Sequence, residues 1–182
     1  MGFLTGKTAI ITGAGYAVLS DGRCGSIGYG IATAYAKEGA NLVITGRNVA
    51  KLEKAKEELE KLYGIKVLAI AADISAGNDN EATANMVVAK TVEAFGRIDV
   101  LCNFAGGYEP RMLKVQPGLE FPDIPIDVFD WGLDVNLKGP FYFAHAVLGI
   151  MREQRTGLII NIGSISGAEG SSVGMAYPTS KA

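Results

Sequence analysis

Three side chains near the end of the sequence have types and spacing suited to proton transfer: Ser164, Tyr177 and Lys181. Tyr177 and Lys181 are four residues apart. With Pro178 in the first turn of a helix, where its missing N–H costs nothing, the phenol and the ammonium share one helix face. A free phenol ionises near pH 10. An ammonium ~4 Å away, at an effective dielectric of ~20, favours a phenolate by about 4 kcal/mol. Such a phenol can exchange a proton with an alcohol or carbonyl near neutral pH. Tyr-x-x-x-Lys alone describes an ordinary helix surface equally well. The serine thirteen residues ahead tips the reading. The apolar run Leu158 to Ile162 suits a strand buried on both faces, and Gly163-Ser164 marks its end. Ligands bind at the carboxyl ends of strands in open α/β sheets, so a hydroxyl there has a claim to chemistry.

The elements that must position these groups alternate along the chain. Short apolar runs at Thr8 to Thr12, Leu42 to Thr45, Val67 to Ala71, Ile98 to Cys102 and Leu158 to Ile162 read as strands. Between them, Ile27 to Lys37, Ala50 to Tyr63, Asn80 to Phe95 and Val128 to Arg152 read as helices. This alternation predicts a Rossmann-type, doubly wound parallel α/β sheet, and right-handed crossovers give the strand order 3-2-1-4-5. The charged stretch Lys51 to Lys61 predicts a solvated helix surface with Lys54/Glu58 and Glu57/Lys61 as i,i+4 pairs.

Composition restricts the alternatives. With 182 residues, 48% hydrophobic and 20% charged, residues 1–182 suit a single domain with its own core. A net charge of −2 gives no electrostatic reason to expect nucleic acid or an anionic membrane as partner. Cys24 and Cys102 match neither a metal pattern nor a disulfide framework and suit a reducing compartment. His145 lies in an apolar helical stretch and is expected to pack. No segment has the length of a membrane span, and the first apolar run lacks a cleavable-signal layout, so the expected location is cytoplasmic and no metal is expected.

A dinucleotide site is suggested by the turn after the first strand, Thr12-Gly13-Ala14-Gly15, and by Gly25-Ser26-Ile27-Gly28 at the start of the following helix. Glycines let the backbone approach a pyrophosphate, and the helix presents its unbonded N–H groups and positive end to the negative charge. The second strand ends Thr45-Gly46-Arg47. A carboxylate there would accept the ribose hydroxyls of NAD; instead Arg47 can pair with a 2′-phosphate, which points to NADP, with NAD as the alternative. Asp73 and Ile74 follow the third strand, and Asn103-Phe104-Ala105-Gly106 follows the fourth.

Together these motifs resemble the classical short-chain dehydrogenase/reductase family across nearly the whole chain. The resemblance implies a hydride exchanged between a nicotinamide and a carbonyl or secondary alcohol. Tyr177 would move the proton, Ser164 would bind the developing oxyanion, and Lys181 would support the tyrosine and hold ribose hydroxyls. Asn136, in Asp134-Val135-Asn136-Leu137-Lys138, would kink its helix and hold a water of the relay. Asp73 would reach the adenine, and Asn103, Ala105 and Gly106 resemble the Asn-Asn-Ala-Gly element, with Phe104 in place of the second asparagine. About ten residues separate Gly15 from Ser26, which stands at the middle glycine's usual place. That long loop is similar to the enoyl reductase branch, whose wider Tyr–Lys spacing would require a tyrosine at Gly174. The stretch Gly107 to Pro125 is expected to form part of a substrate mouth or lid.

Family members continue well beyond the lysine, so the chain resembles a C-terminally incomplete member. A protein ending at Ala182 is expected to expose its fifth strand as an edge, to associate through it, and to be catalytically silent. The expected partners of the full-length protein are a small-molecule carbonyl or alcohol and further copies of itself, as a dimer or tetramer. The alternative is a non-catalytic dinucleotide-binding or interaction protein on the same scaffold.

Overall fold

Parallel strands buried on both faces need helices on both faces, and the chain supplies them. The computed structural model describes residues 2–75, 79–108, 119–169 and 176–182. Strands β1 (Thr8–Thr12), β2 (Asn41–Gly46), β3 (Val67–Ala71), β4 (Val100–Asn103) and β5 (Leu158–Asn161) form one parallel sheet in the order β3-β2-β1-β4-β5. This is the predicted doubly wound order. The register runs Thr8↔Asn41 to Thr12↔Thr45 between β1 and β2, and Val100↔Leu158 to Asn103↔Asn161 between β4 and β5.

Alternation along the strands divides the core. Ala9, Ile11, Leu42, Ile44 and Cys102 face one side and pack with Tyr29, Ala32 and Ala36 of α1 (Ile27–Lys37) and Leu52, Ala55 and Leu59 of α2 (Val49–Tyr63). Ile10, Val43, Ile70 and Leu101 face the other. They meet Ala84, Val87 and Val88 of α3 (Asn80–Phe95), Trp131 of α4 (Ile126–Leu133), and Phe143, Val147 and Met151 of α5 (Gly139–Gln154). Each of these larger side chains contributes about 1.5–3 kcal/mol by leaving water. Asn48 and Asp79 start α2 and α3 by accepting from Lys51 N and Ala82 N, both at 2.9 Å.

At the amino edge of the sheet the carboxylate of Asp99 ties three elements together. It accepts from Thr8 N at 2.9 Å, Lys7 Nζ at 3.2 Å, and Arg97 Nε and Nη2 at 2.7 and 2.6 Å. Its own backbone N–H donates to Thr8 O, and its carbonyl accepts from Leu158 N, both at 2.9 Å. Burial pushes the Asp99 carboxyl up, but the bonds from Arg97, Thr8 and Lys7 outweigh it and hold the group below the usual carboxylate range.

Several expectations are corrected. The stretch Val128 to Arg152 is not one helix: α4 and α5 are joined by a π-helical turn, Asp134–Lys138. Pro140 explains the interruption, because it has no N–H to offer the carbonyl four residues back, that of Asn136, and its ring crowds that carbonyl. β5 is not buried on both faces. Leu158 is 53% exposed and Ile159 and Ile160 are half-buried, since β5 has no strand beyond it among the described residues. His145 is exposed, stacked on Phe141 with ring centroids 6.2 Å apart. On α2, Glu58 does not pair with Lys54. Glu58 accepts from Tyr29 Oη at 3.1 Å, while Lys54 Nζ sits 3.9 Å over the Tyr16 ring. A further short helix, α6 (Ile165–Glu169), follows β5 and precedes α7 (Ala176–Lys181).

Candidate active site

Two loops, after β1 and after β4, meet at the carboxyl edge through one hydroxyl. Thr12 Oγ1 accepts from Phe104 N at 3.0 Å and Ala105 N at 2.9 Å, and donates to Cys102 O at 3.4 Å. In the sequence Thr12 is the end of the first strand and the residue before the glycines. Its spacing from the first glycine was visible in the sequence, but its three partners ninety residues on were not. The close contact continues at Gly13, which has φ +71°; a Cβ there would stand 3.0 Å from Ala105 Cα. At Gly28 a Cβ would strike the carbonyl oxygen of Gly13 and lie 2.8 Å from its carbon. The helix start can therefore come this close to the turn only without a side chain.

Ser26 caps α1 by accepting from Tyr29 N at 3.4 Å, and Ile27, the first helical residue, is 65% exposed. Gly15 packs beside Lys51, whose Cβ would be 3.3 Å from a Cβ at that position. The inserted loop folds as a small hairpin, with Val18 and Cys24 bridged antiparallel and Leu19 N donating to Arg23 O at 2.8 Å. It is fastened at its base by Tyr16 N to Lys51 O at 2.9 Å and by the Tyr16 and Tyr29 rings, 5.2 Å apart. Phe104 packs against the core under α1 and α2.

A cavity of about 180 Å³ opens between these loops, lined by Gly13, Thr45, Gly46, Arg47, Ala72, Asp73, Ile74, Ser75, Ala105 and Gly106, with Trp131, Val135 and Phe143 behind them. Arg47 is exposed and forms no ion pair among the described residues. Asp73 is exposed and turns the loop by accepting from Ser75 N at 3.0 Å; Ile74 is buried, and its carbonyl accepts from Asn80 Nδ2 at 3.0 Å. No carboxylate stands at the end of β2. Among the described residues no group of three or more His, Cys, Asp or Glu side chains could hold a metal, and no helix is long and apolar enough to cross a membrane.

The other residues singled out gather where β4, β5, the π turn and α7 meet. Asn136 is buried at the centre of the π turn, where the resemblance implied a kink. Its side chain clasps one peptide unit at both ends. Oδ1 accepts from Gly107 N at 2.9 Å and Nδ2 donates to Gly107 O at 3.0 Å. A Cβ at Gly106 would lie 2.6 Å from Asn136 Oδ1 and 3.7 Å from Lys181 Nζ. Lys181 Nζ donates to Ile162 O at 2.9 Å, which fastens α7 to the exit of β5. Ser164 follows two residues later, its Oγ accepting from Ser166 N at 3.2 Å. A Cβ at Gly167 would strike the Lys181 carbonyl, so α6 and α7 are also in close contact. Tyr177 is half-buried, and the ring of Tyr108 stands edge-on to it, 6.0 Å between centroids and 88° between planes. Asn103 Nδ2 donates to Asn161 Oδ1 at 2.9 Å, joining the ends of β4 and β5. Residues 109–118, most of the expected mouth, and Gly174 lie outside the described residues.

The profile of the family described as short chain dehydrogenase matches residues 7–182. This chain belongs to the short chain dehydrogenase family. Relatives include a 12alpha-hydroxysteroid dehydrogenase of Clostridium sp., 43% identical over 181 residues, covering 100% of this chain and 64% of the relative. An uncharacterized oxidoreductase of Staphylococcus aureus is 35% identical over 182 residues, covering 100% and 68%. The chain thus spans about two thirds of the length of these curated relatives. Among solved structures, an NAD+-bound xylitol dehydrogenase matches with a TM-score of 0.81 at 30% identity, over 98% of this chain and 61% of that one. A metagenomic short-chain oxidoreductase in complex with NADP matches with a TM-score of 0.81 at 30% identity, over 98% and 71%. The solved structures similar to this chain therefore include proteins carrying either dinucleotide.

Proposed function

We propose that the complete protein is an NADP(H)-dependent oxidoreductase that interconverts a secondary alcohol and a ketone. The observation that carries this reading is the convergence at the exits of β4 and β5: Lys181 Nζ bonded to the strand exit beside Ser164, and Asn136 clasping the loop that faces Lys181. The dinucleotide, when bound, supplies a hydride acceptor or donor at its nicotinamide. Gly13, Gly15, Ser26, Ile27 and Gly28 would hold its phosphates, because the absence of a Cβ at Gly13 and Gly28 brings the β1 turn and the start of α1 into direct contact, with the unbonded N–H groups of the helix start beside the turn. Arg47 would take a 2′-phosphate; Asp73 and Ile74 would border the adenine; Ala105 and Gly106 would lie beside the cofactor, with Asn103 supporting the sheet there through its bond to Asn161.

Around the substrate, Tyr177 would give the proton to a carbonyl oxygen or take it from an alcohol, with Ser164 donating a hydrogen bond to the oxygen as charge develops. Lys181 would hold ribose hydroxyls of the dinucleotide, and Asn136 would keep the loop that faces the lysine in place. The 43% identity to a hydroxysteroid dehydrogenase makes ring-borne secondary hydroxyls the first substrate class to screen. A cytoplasmic location and a homo-oligomeric full-length protein belong to the same proposal.

The test uses the full-length protein with NADPH and NADH against ketones and secondary alcohols. Tyr177→Phe should abolish turnover and leave dinucleotide affinity nearly unchanged, and Ser164→Ala should cost about 2.7–4 kcal/mol of transition-state stabilisation. Arg47 is exposed, so Arg47→Ala should weaken NADPH about tenfold, the low end for a bond to a charged group, and leave NADH alone. Substantial kcat in Tyr177→Phe would remove the acid–base role. An unchanged NADPH-to-NADH ratio in Arg47→Ala would remove the cofactor assignment.

A further inference from the structure

The loop leaving β4 meets the last helix at two points, two residues apart in the loop and four apart in the helix. Two residues of extended chain advance about 6.6 Å, and four residues of helix advance about 6 Å. Gly106 and Tyr108 can therefore oppose Lys181 and Tyr177, one pair per turn. The contacts bear this out: Gly106 faces Lys181 Nζ, and the Tyr108 ring meets the Tyr177 ring edge-on at 6.0 Å. Between them, Gly107 is held at both its N–H and its carbonyl by Asn136. Tyr108 is thus delivered to Tyr177 by an anchored peptide, and it remains 39% exposed, so little of the fold depends on it.

We propose that Tyr108 is a positioning residue for Tyr177, its ring fixing the orientation of the phenol, and that the Asn136–Gly107 clasp sets where that ring stands. The inference rests on the reading of Tyr177 as the proton-transfer group. A phenol must lie within a narrow range of distance and direction to exchange a proton in the transition state. A neighbouring ring edge restricts rotation of the half-buried Tyr177 side chain on one side. Because the contact is between rings, the Tyr108 hydroxyl is dispensable.

The experiment measures kcat and KM of the full-length protein for Tyr108→Ala, Tyr108→Leu, Tyr108→Phe and, in the same series, Tyr177→Phe. Loss of the ring should lower kcat about 3- to 10-fold in the Ala and Leu variants, with KM for the dinucleotide unchanged, and Phe should restore kcat. A rise in substrate KM with kcat unchanged would make Tyr108 a substrate contact and overturn the positioning role. Equal losses in Phe and Ala would assign the effect to the hydroxyl and overturn it too. If neither Ala nor Leu folds, Tyr108 is a structural residue and the inference is wrong. An inactive Tyr177→Phe beside an unaffected Tyr108→Ala would sink this inference alone, whereas an active Tyr177→Phe would sink the functional reading beneath it.

Discussion

Removing the charge of Asp99 should destabilise the fold at neutral pH and do so progressively less as the pH falls. Asp99→Asn keeps the shape and one acceptor oxygen but puts an amide N–H₂ among the donors of Arg97, Lys7 and Thr8. The carboxylate is only 6% exposed, so its bond to the buried Thr8 N–H contributes about 1.5–3 kcal/mol. The two cations are each 41% exposed, so each ion pair adds no more than about 1 kcal/mol. The expected loss is about 3 kcal/mol, a large share of the 5–15 kcal/mol typical of a domain. Because the folded-state carboxyl lies below its unfolded value, this contribution is fully present above the ordinary carboxylate range. It is lost as the pH falls through the folded value. Urea unfolding at pH 7 and at stepwise lower pH, followed by the single tryptophan, buried Trp131, measures the gap between wild type and variant. A gap below about 0.5 kcal/mol at pH 7, or one that widens on acidification, would refute the reasoning.

Further outcomes follow from the carboxyl edge. Thr12→Val should cost about 2–5 kcal/mol in the same urea assay, because the backbone N–H groups of Phe104 and Ala105 both lose their acceptor, while Thr12→Ser should stay near wild type. Gly28→Ala should lower stability by about 1–3 kcal/mol, since its Cβ meets the Gly13 carbonyl. It should also weaken dinucleotide binding, read as quenching of Trp131 at the back of the cavity; unchanged affinity would mean the phosphates do not approach that turn. Gly106→Ala should disturb the Asn136 clasp, since the added carbon lies 2.6 Å from Oδ1, and the full-length variant should lose kcat while still binding dinucleotide.

The strands and crossovers were legible because they are governed by local periodicity. β1 and α3 have the bounds that the apolar run and the helical pattern predict, and the strand order follows from crossover handedness. Buried strands announce themselves as apolar runs, but an edge strand can carry the same residues, so the exposure of Leu158 could not be read from composition. Helix spacing alone pairs Lys54 with Glu58, because spacing is all a sequence offers. Tyr16 and Tyr29, brought in by the glycine-rich loop and α1, outcompeted that pairing. The candidate site residues could be named by type, whereas what holds them could not. The Thr12 hydroxyl, the Asn136 clasp and the Tyr108 ring all act between segments far apart in the chain.

The π turn at Asp134–Lys138 makes chain length a component of the site. A turn of this kind amounts to one residue inserted into an α-helix. The buried faces on either side, Val128 and Trp131 before it and Phe143, Val147 and Met151 after it, are held by separate contacts with the core. Removing one residue within the turn, with Pro140→Ala to permit a regular helix, would let both faces keep their places and swing only the intervening side chains by about 100°. Asn136 would then leave Gly107 although neither of the two had been exchanged for another kind. Aligning such chains without a gap would hide the loss, since the asparagine would still be present and only its bearing would have changed.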